Sequence, residues 1–124
     1  MTKANYSPEV WARFSSPAFA GELAGAVVGE AGTPASRAVM RIYLRAENGR
    51  VGEARFKAYG CVSTIAAGDW VAQWACGKTL SEARGLIADQ IARALNLAPI
   101  KRHCALLAED ALRAALDNMR KSDS

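Results

Sequence analysis

The sequence lacks long apolar runs and has no apolar segment near its first residue. A transmembrane helix requires about 20 consecutive apolar residues, and no run within the 124 residues approaches that length. Residues 1–5, Met-Thr-Lys-Ala-Asn, contain no apolar core of a signal peptide. We therefore expect a cytoplasmic protein that does not associate with membranes.

Cysteine and histidine are also scarce. The sequence contains three cysteines, Cys61, Cys76 and Cys104, and a single histidine, His103. An odd number of cysteines without a secretory signal favours free thiols in a reducing compartment over a disulfide framework. The sequence has no second histidine and no evident nucleophile–base pair beyond Cys104 with His103, so we do not expect an enzyme.

No strong excess of charge is present either. Hydrophobic residues make up 51% of the chain, charged residues make up 23%, and the net charge is +4, which is ordinary for a globular protein. A chain of 124 residues has room for one core. We expect one domain over residues 1–124, with residues 1–5 and 121–124 frayed.

Alternating apolar residues predict a β-hairpin. Every second residue is apolar in the middle of residues 37–45, and the pattern returns over residues 54–59. Between these runs lie Asn48 and Gly49, a dipeptide that suits a two-residue hairpin turn. Residues 27–28, both valine, predict a short edge strand, so the expected sheet is antiparallel and three-stranded.

Capping residues and apolar periodicity predict four helices. The first begins after Ser7 and ends near residue 15, and the second runs from Ser63 to about Cys76. The third begins at the capping box of Thr79 and Glu82 and ends near residue 95. The last has its first turn at His103 and ends at Arg120. The third has an apolar face of Ala83, Leu86, Ile87, Ile91 and Ala94, and the last has one of Leu106, Leu107, Leu112, Leu116 and Met119. The expected fold class is α+β, with helices packed on one face of the sheet.

Two of the three cysteines lie at predicted helix starts. Cys61 ends a strand just before a helix, and Cys104 follows His103 in the first turn of another helix. The unpaired N–H groups and the positive end of the helix dipole lower a thiol pKa there. An isolated cysteine is usually a small buried apolar residue, but two at such junctions beside a histidine favour a soft-metal site. Cys76, about 20 Å away along its helix, is not expected to be a ligand.

Three motifs around these residues resemble one known family. They are ARFKAYGC at residues 54–61, GKTLSEA at residues 77–83 and KRHCALLAEDA at residues 101–111. All three are similar to the U-type iron–sulfur cluster assembly scaffolds, IscU and the N-terminal domain of NifU. The resemblance extends from about residue 6 to residue 119.

The resemblance implies a role in handling iron and sulfur. In that family, cysteines with an aspartate and a histidine hold a nascent cluster, which implies that Cys61, His103 and Cys104 hold a transient 2Fe–2S cluster or Zn²⁺, with Ser36 as a fourth candidate. It also implies that a cysteine desulfurase supplies sulfur and that the cluster passes to apo iron–sulfur acceptor proteins. Beside Lys101, Arg102 and His103 at a helix start, Cys104 is the expected persulfide acceptor.

One segment is similar to the family's recognition loop for a DnaK-type chaperone and its J-protein. The family loop has the sequence Leu-Pro-Pro-Val-Lys, and residues 97–101 are Leu-Ala-Pro-Ile-Lys. The resemblance therefore implies partner binding through Leu97, Pro99, Ile100 and Lys101.

The sequence departs from the family at residues 35–38. The family motif Ala-Cys-Gly-Asp corresponds to Ala-Ser-Arg-Ala, so Ser36 replaces a ligand cysteine and Ala38 replaces the aspartate. A serine hydroxyl stays protonated near neutral pH, and an alanine cannot bind a metal. The usual four-ligand set is incomplete. The chain is then either a divergent scaffold or carrier, in which a homodimer supplies the missing ligands, or a pseudo-scaffold. A pseudo-scaffold, zinc-bound or metal-free, would bind the desulfurase or chaperone and regulate assembly.

The predicted basic face of the sheet suggests a third alternative. It carries Arg41, Arg45, Arg55 and Lys57 beside Tyr43 and Tyr59. Cations interleaved with aromatic rings are typical of nucleic-acid-binding sheets. Such a face is more often a solvated surface, so nucleic-acid binding is the least favoured alternative.

Overall fold

The computed structural model describes residues 6–33, 35 and 37–123. The elements are α1 (Pro8–Ser15), β1 (Val27–Thr33), β2 (Ala38–Glu47), β3 (Arg50–Tyr59), α2 (Val62–Ala75), α3 (Leu80–Arg84), α4 (Ala88–Leu95), a 3₁₀ turn (Pro99–Lys101) and α5 (Arg102–Asp123). Within the described part of the chain, no helix combines the length and apolarity that crossing a bilayer demands.

The three strands form one antiparallel sheet in the order β1-β2-β3. Asn48 and Gly49 form the turn between β2 and β3 with φ values of 55° and 77°, the left-handed conformations that such a tight hairpin turn requires. The predicted hairpin is therefore confirmed. β1 is longer than the predicted residues 27–28, because its second half pairs with the start of β2 despite carrying few apolar side chains.

The helices cover one face of the sheet. Met40, Ile42 and Leu44 are fully buried on that face beneath the helices. Gly29 allows α5 to approach β1, because a Cβ atom at Gly29 would lie 2.0 Å from the backbone nitrogen of Ala115. The predicted α+β class and the helical layer on one face are confirmed.

The single helix predicted over residues 79–95 is wrong, because α3 ends at Arg84 and α4 begins at Ala88. Gln90 starts the second helix by accepting a hydrogen bond from the backbone N–H of Ile87. Ile87 is therefore 47% exposed rather than part of an apolar face. Ala94 is also exposed, whereas Leu95 is buried.

The last helix buries Leu112, Leu116 and Met119 of its predicted apolar face, but not all five residues. Leu106 is 53% exposed, whereas Cys104 is fully buried with Ala108, Ala111 and Ala115 along the same side of α5. These small residues let the helix lie close to the sheet. The backbone of α5 continues to Asp123, three residues beyond the predicted end at Arg120.

Candidate metal and sulfur site

Cys61 lies at the junction of β3 and α2. The helix begins one residue earlier than predicted, at Val62, so Cys61 itself is the N-cap residue. Gly60 makes the sharp turn before it with a φ of 151°, and a Cβ atom there would lie 2.9 Å from Thr64 Oγ1. Because only glycine fits this turn readily, Gly60 positions the Cys61 thiol.

Cys104 lies in the first turn of α5, as predicted. The 3₁₀ turn Pro99–Lys101 leads directly into α5, so His103 and Cys104 are the second and third residues of that helix. The His103 side chain is exposed, but Cys104 is fully buried. Cys104, the persulfide acceptor expected from the sequence, is therefore not accessible to solvent in this structure.

The fold brings the three predicted site residues together. Cys61 Sγ lies 3.6 Å from Cys104 Sγ, and His103 Nε2 also lies 3.6 Å from Cys104 Sγ. Two sulfur ligands at about 2.3 Å from a tetrahedral metal are about 3.8 Å apart, and a sulfur–nitrogen pair is about 3.6 Å apart. Both distances therefore suit donors that share one metal ion, and both thiols are free.

Thr64 is a neighbour of the thiols that the sequence analysis missed. Its Oγ1 lies 3.6 Å from Cys61 Sγ and donates a hydrogen bond of 3.4 Å to Cys104 Sγ. Thr64 is itself buried. The signal in the sequence was its spacing, since a hydroxyl residue three positions after an N-cap faces the capping side chain.

The two thiols share their protons unequally. The pKa of Cys61 is lowered to about 4, chiefly by the hydrogen bond from Cys104. Hydrogen bonds from Thr64 and the charge of Lys101 also lower this pKa, whereas partial burial opposes them. The hydrogen bond to Cys61, and then burial, raise the pKa of Cys104 well above its usual range. Near neutral pH the pair therefore holds one thiolate, on the half-buried Cys61, and one thiol, on the buried Cys104.

The site is incomplete as a metal centre. Within residues 6–33, 35 and 37–123, no three His, Cys, Asp or Glu side chains converge as ligands of one ion. Ser36, the fourth candidate, lies outside the described residues. Arg37, where the family has glycine, has a φ of 61°, a backbone conformation that glycine adopts more readily. The pairs Cys61–Cys104 and His103–Cys104 each have a spacing that suits two ligands, but the three side chains do not converge on one point.

Cys76 lies at the opposite end of α2, as the C-cap residue. Its thiol donates a hydrogen bond of 3.3 Å to the carbonyl oxygen of Ala72. Thirteen or so residues of helix separate it by about 20 Å from Cys61. The structure therefore places Cys76 outside the site, as predicted.

The segment that resembles the chaperone loop is exposed next to the site. Ile100 is 79% exposed, Pro99 is also exposed, and Leu97 is half-buried. Lys101 Nζ lies 5.9 Å from the centre of the Tyr6 ring. The segment presents an apolar side chain to solvent within a few residues of His103.

The cations of the basic sheet face have partners. Arg41 pairs with Glu30, Arg45 with Glu53 and Lys57 with Glu22. The guanidinium of Arg55 lies 5.8 Å from the Phe19 ring centre, and Tyr43 is buried. This neutralised surface argues against nucleic-acid binding, which needs free cations for the phosphate backbone.

Comparison with known proteins identifies the family of the chain. The family described as "NifU-like N terminal domain" matches residues 5–124. The chain belongs to this family. It is 39% identical over 116 residues to "Iron-sulfur cluster assembly scaffold protein IscU" of Haemophilus influenzae, covering 90% of this chain and 92% of that protein. It is 44% identical over 89 residues to "Iron-sulfur cluster assembly enzyme IscU" of Drosophila melanogaster, covering 71% of this chain and 58% of that protein.

Solved structures share the fold. A crystal structure of a candidate iron–sulfur cluster assembly scaffold for the SUF system of Fervidobacterium islandicum superposes with a TM-score of 0.78 at 19% identity, covering 94% of this chain and 99% of that chain. At that identity, the likeness concerns the fold alone. The resemblance stated from the sequence motifs is confirmed at the level of family and fold.

Proposed function

We propose that this protein is an iron–sulfur cluster assembly scaffold or carrier that holds its cargo through Cys61, His103 and Cys104. The relatives support the general role, since most are named scaffold proteins. The observation that carries the proposal for this chain is the 3.6 Å separation of the Cys61 and Cys104 sulfurs. This distance supports the proposal, because two sulfur ligands of one tetrahedral metal lie about 3.8 Å apart.

The missing ligands suggest how the cargo is held. A 2Fe–2S cluster needs four ligand positions on its two irons, and the three side chains of one chain leave at least one open. A homodimer that shares the cluster would supply the remainder from the second copy. With the same donors, the chain would hold Zn²⁺ when no cluster is present.

Sulfur would enter the site at Cys61. The sequence favoured Cys104 as the persulfide acceptor, but Cys104 is fully buried. The Cys61 thiolate would attack the outer sulfur of a persulfide on the desulfurase cysteine. A new Cys61 S–S bond forms, the donor S–S bond breaks, and the donor cysteine leaves as a thiolate. Because Cys104 is buried, it would receive sulfur after Cys61, once the turn at Pro99–Lys101 moves and exposes it.

The proposed partners follow from the same role. A cysteine desulfurase would deliver sulfur, and apo iron–sulfur acceptor proteins would receive the cluster. The exposed Pro99 and Ile100 support recognition by a DnaK-type chaperone with its J-protein. Leu97 and Lys101 would form the ends of that motif.

A second function is favoured by one observation. The described residues contain no preformed group of three ligands, and Ala38 offers only a methyl group. A pseudo-scaffold that binds the desulfurase or chaperone and regulates assembly, with zinc or without metal, would need no stronger site. This function predicts partner binding without formation of a cluster.

Anaerobic reconstitution separates the two functions. The wild-type chain is incubated with Fe²⁺, cysteine and a cysteine desulfurase, and iron, sulfide and the visible spectrum are measured. A scaffold forms a chromophore with stoichiometric iron and sulfide, which Cys61→Ser and Cys104→Ser abolish and Cys76→Ser preserves. Absence of a chromophore in the wild type, with desulfurase binding retained, would establish the pseudo-scaffold.

A further inference from the structure

A cavity of about 380 Å³ lies beside the thiol site, between the starts of α1 and α2 and the segment that follows α4. Its walls include Ser7, Ser63, Asn96 and Lys101. Pockets of a few hundred cubic ångströms are the size at which proteins bind small organic molecules. Neither the metal ligands nor the persulfide chemistry makes use of this space.

Ser63 is the feature of the cavity that needs an explanation. The residue is 1% exposed, and its Oγ has no hydrogen-bond partner among the described residues. A buried hydroxyl without a partner costs free energy, so native structures rarely retain one without a reason. Ser63 lines the cavity, and a rotation about its χ1 bond would turn the buried hydroxyl toward a molecule bound there, which would supply the missing partner.

The charges around the cavity favour an anion. Among the described residues, Lys101 is the single charged residue of its wall, and none of the described wall residues is a carboxylate. Ser63 also belongs to the first turn of α2, a 14-residue helix, whose first N–H groups and positive dipole end attract negative charge. The end of α4 at Asn96 presents the opposite dipole, but the N–H groups of Asn96 and Leu97 already bond its last carbonyl oxygens.

We propose that this cavity binds a small organic oxyanion, a carboxylate or phosphate group on a compact molecule. The Ser63 hydroxyl donates a hydrogen bond to the oxyanion, and the Lys101 ammonium pairs with it. Binding of such an anion requires neither a metal nor sulfur at the thiols. A bound anion would also restrain the segment from Leu97 to Lys101, which leads into His103 and Cys104.

Titration of the reduced, metal-free full chain tests the site. Citrate and inorganic phosphate are the two probes, followed by calorimetry and by amide chemical shifts at physiological ionic strength. We expect saturable binding of at least one probe, with shifts centred on Ser63 and the segment after α4. Binding of citrate alone identifies a carboxylate site, and binding of phosphate alone identifies a phosphate site.

Three variants make the test specific. Ser63→Ala should weaken binding at least about tenfold, because it removes a hydrogen bond to a charged group. The unfolding temperature of the free protein should stay equal or rise, since Ser63 Oγ has no partner to lose. Lys101→Gln should weaken binding to a similar extent. The control is Lys57→Gln, a lysine paired with Glu22 on the sheet, which should leave binding unchanged.

Three results would overturn the proposal. The first is the absence of saturable binding with both probes. The second is equal weakening by Lys57→Gln and Lys101→Gln, which would reduce the effect to the net positive charge of the chain. The third is unchanged binding in Ser63→Ala, which would show that the hydroxyl takes no part.

Discussion

The two ends of α2 each carry a half-buried cysteine, and they differ in almost everything else. Cys61 precedes the first turn, with Thr64 and Cys104 in contact with its sulfur. Cys76 follows the last turn and bonds back to the carbonyl oxygen of Ala72 in its own helix. The first end meets a second helix start, whereas the second end contributes no side chain to the site.

This contrast shows that exposure alone does not distinguish the two cysteines. Both thiols have intermediate burial, so solvent access is similar. What distinguishes Cys61 is the polarity of its helix end together with a second thiol at 3.6 Å. Cys76 is therefore the matched control for Cys61, because it has the same chemistry on the same helix.

The largest expected difference between the two ends is in metal affinity. Cys61→Ser should lower the affinity for Zn²⁺ at least about 100-fold, because even the loss of a residue that only supports a ligand costs 10–100-fold. Cys76→Ser should leave the affinity unchanged. Competition with a chromophoric chelator measures both variants. Equal losses in the two variants would mean that Cys76 belongs to the site or that the helix as a whole is perturbed.

The next largest effect is in the pH dependence of alkylation. A thiol with the ordinary pKa of about 8.5 becomes about 75-fold more ionised between pH 6 and pH 8. Because the pKa of Cys61 is lowered to about 4, its rate of reaction with iodoacetamide should change less than about twofold over that range. Mass mapping of the labelled sites at each pH provides the measurement. A steep rise at Cys61, or faster labelling of Cys104, would contradict the proton distribution.

The fold was largely predictable because its local signals agree with its packing. Alternating residues on both sides of Asn48 and Gly49 can only form the observed hairpin, and Ser7 before Pro8 marks the start of α1 as the structure has it. The break between α3 and α4 was not predictable from periodicity. Its second cap is a Gln90 amide rather than a residue typical of helix starts.

The proximity of Cys61 and Cys104 was predictable from the sequence, but the burial of Cys104 was not. Cys61 and Cys104 were found because both lie at helix starts, and the family resemblance joined them. The burial of Cys104 was missed because the inner face of α5 consists of alanines such as Ala108 and Ala111, whereas the conspicuous Leu106 points outward. Small residues are favoured where a helix packs closely on a sheet, and a search for large apolar side chains overlooks that face.

A smaller effect is expected from the hydroxyl that contacts both sulfurs. Thr64→Val keeps the shape of the side chain and the backbone N–H but removes the hydroxyl, whose hydrogen bond helps that of Cys104 to lower the pKa of Cys61. The loss of one such bond should raise that pKa by about one unit, since one unit corresponds to about 1.4 kcal/mol. Thr64→Ser, which keeps the hydroxyl, is the control. An unchanged midpoint of Cys61 alkylation in Thr64→Val would show that the Cys104 thiol alone stabilises the thiolate.

The smallest expected effect is on the pH dependence of stability. Between about pH 4 and pH 8.5 the folded pair binds one proton, because the Cys61 pKa is lowered and the Cys104 pKa is raised. The unfolded chain binds two protons on these thiols over the same range. Since stability rises with pH wherever the unfolded state binds more protons, the pair should stabilise the fold increasingly toward pH 8.5. Above that pH the unfolded chain loses both protons while Cys104 keeps one, so the contribution should decline again.

The comparison with Cys61→Ser isolates this contribution from the other titrating groups. The variant keeps the buried Cys104 thiol but has no thiolate beside it, so it should lack the rise below pH 8.5. Cys61 is half exposed and its charge is screened by solvent, so the difference in unfolding free energy should be about 1 kcal/mol across the range. Urea denaturation of both proteins in reducing buffer at pH 5, 7, 8.5 and 10 measures it. If the unfolding free energies of the two proteins changed with pH in parallel, the two thiols would titrate independently. The claim that the pair holds one proton near neutral pH would then be wrong, even if a metal still binds between the thiols.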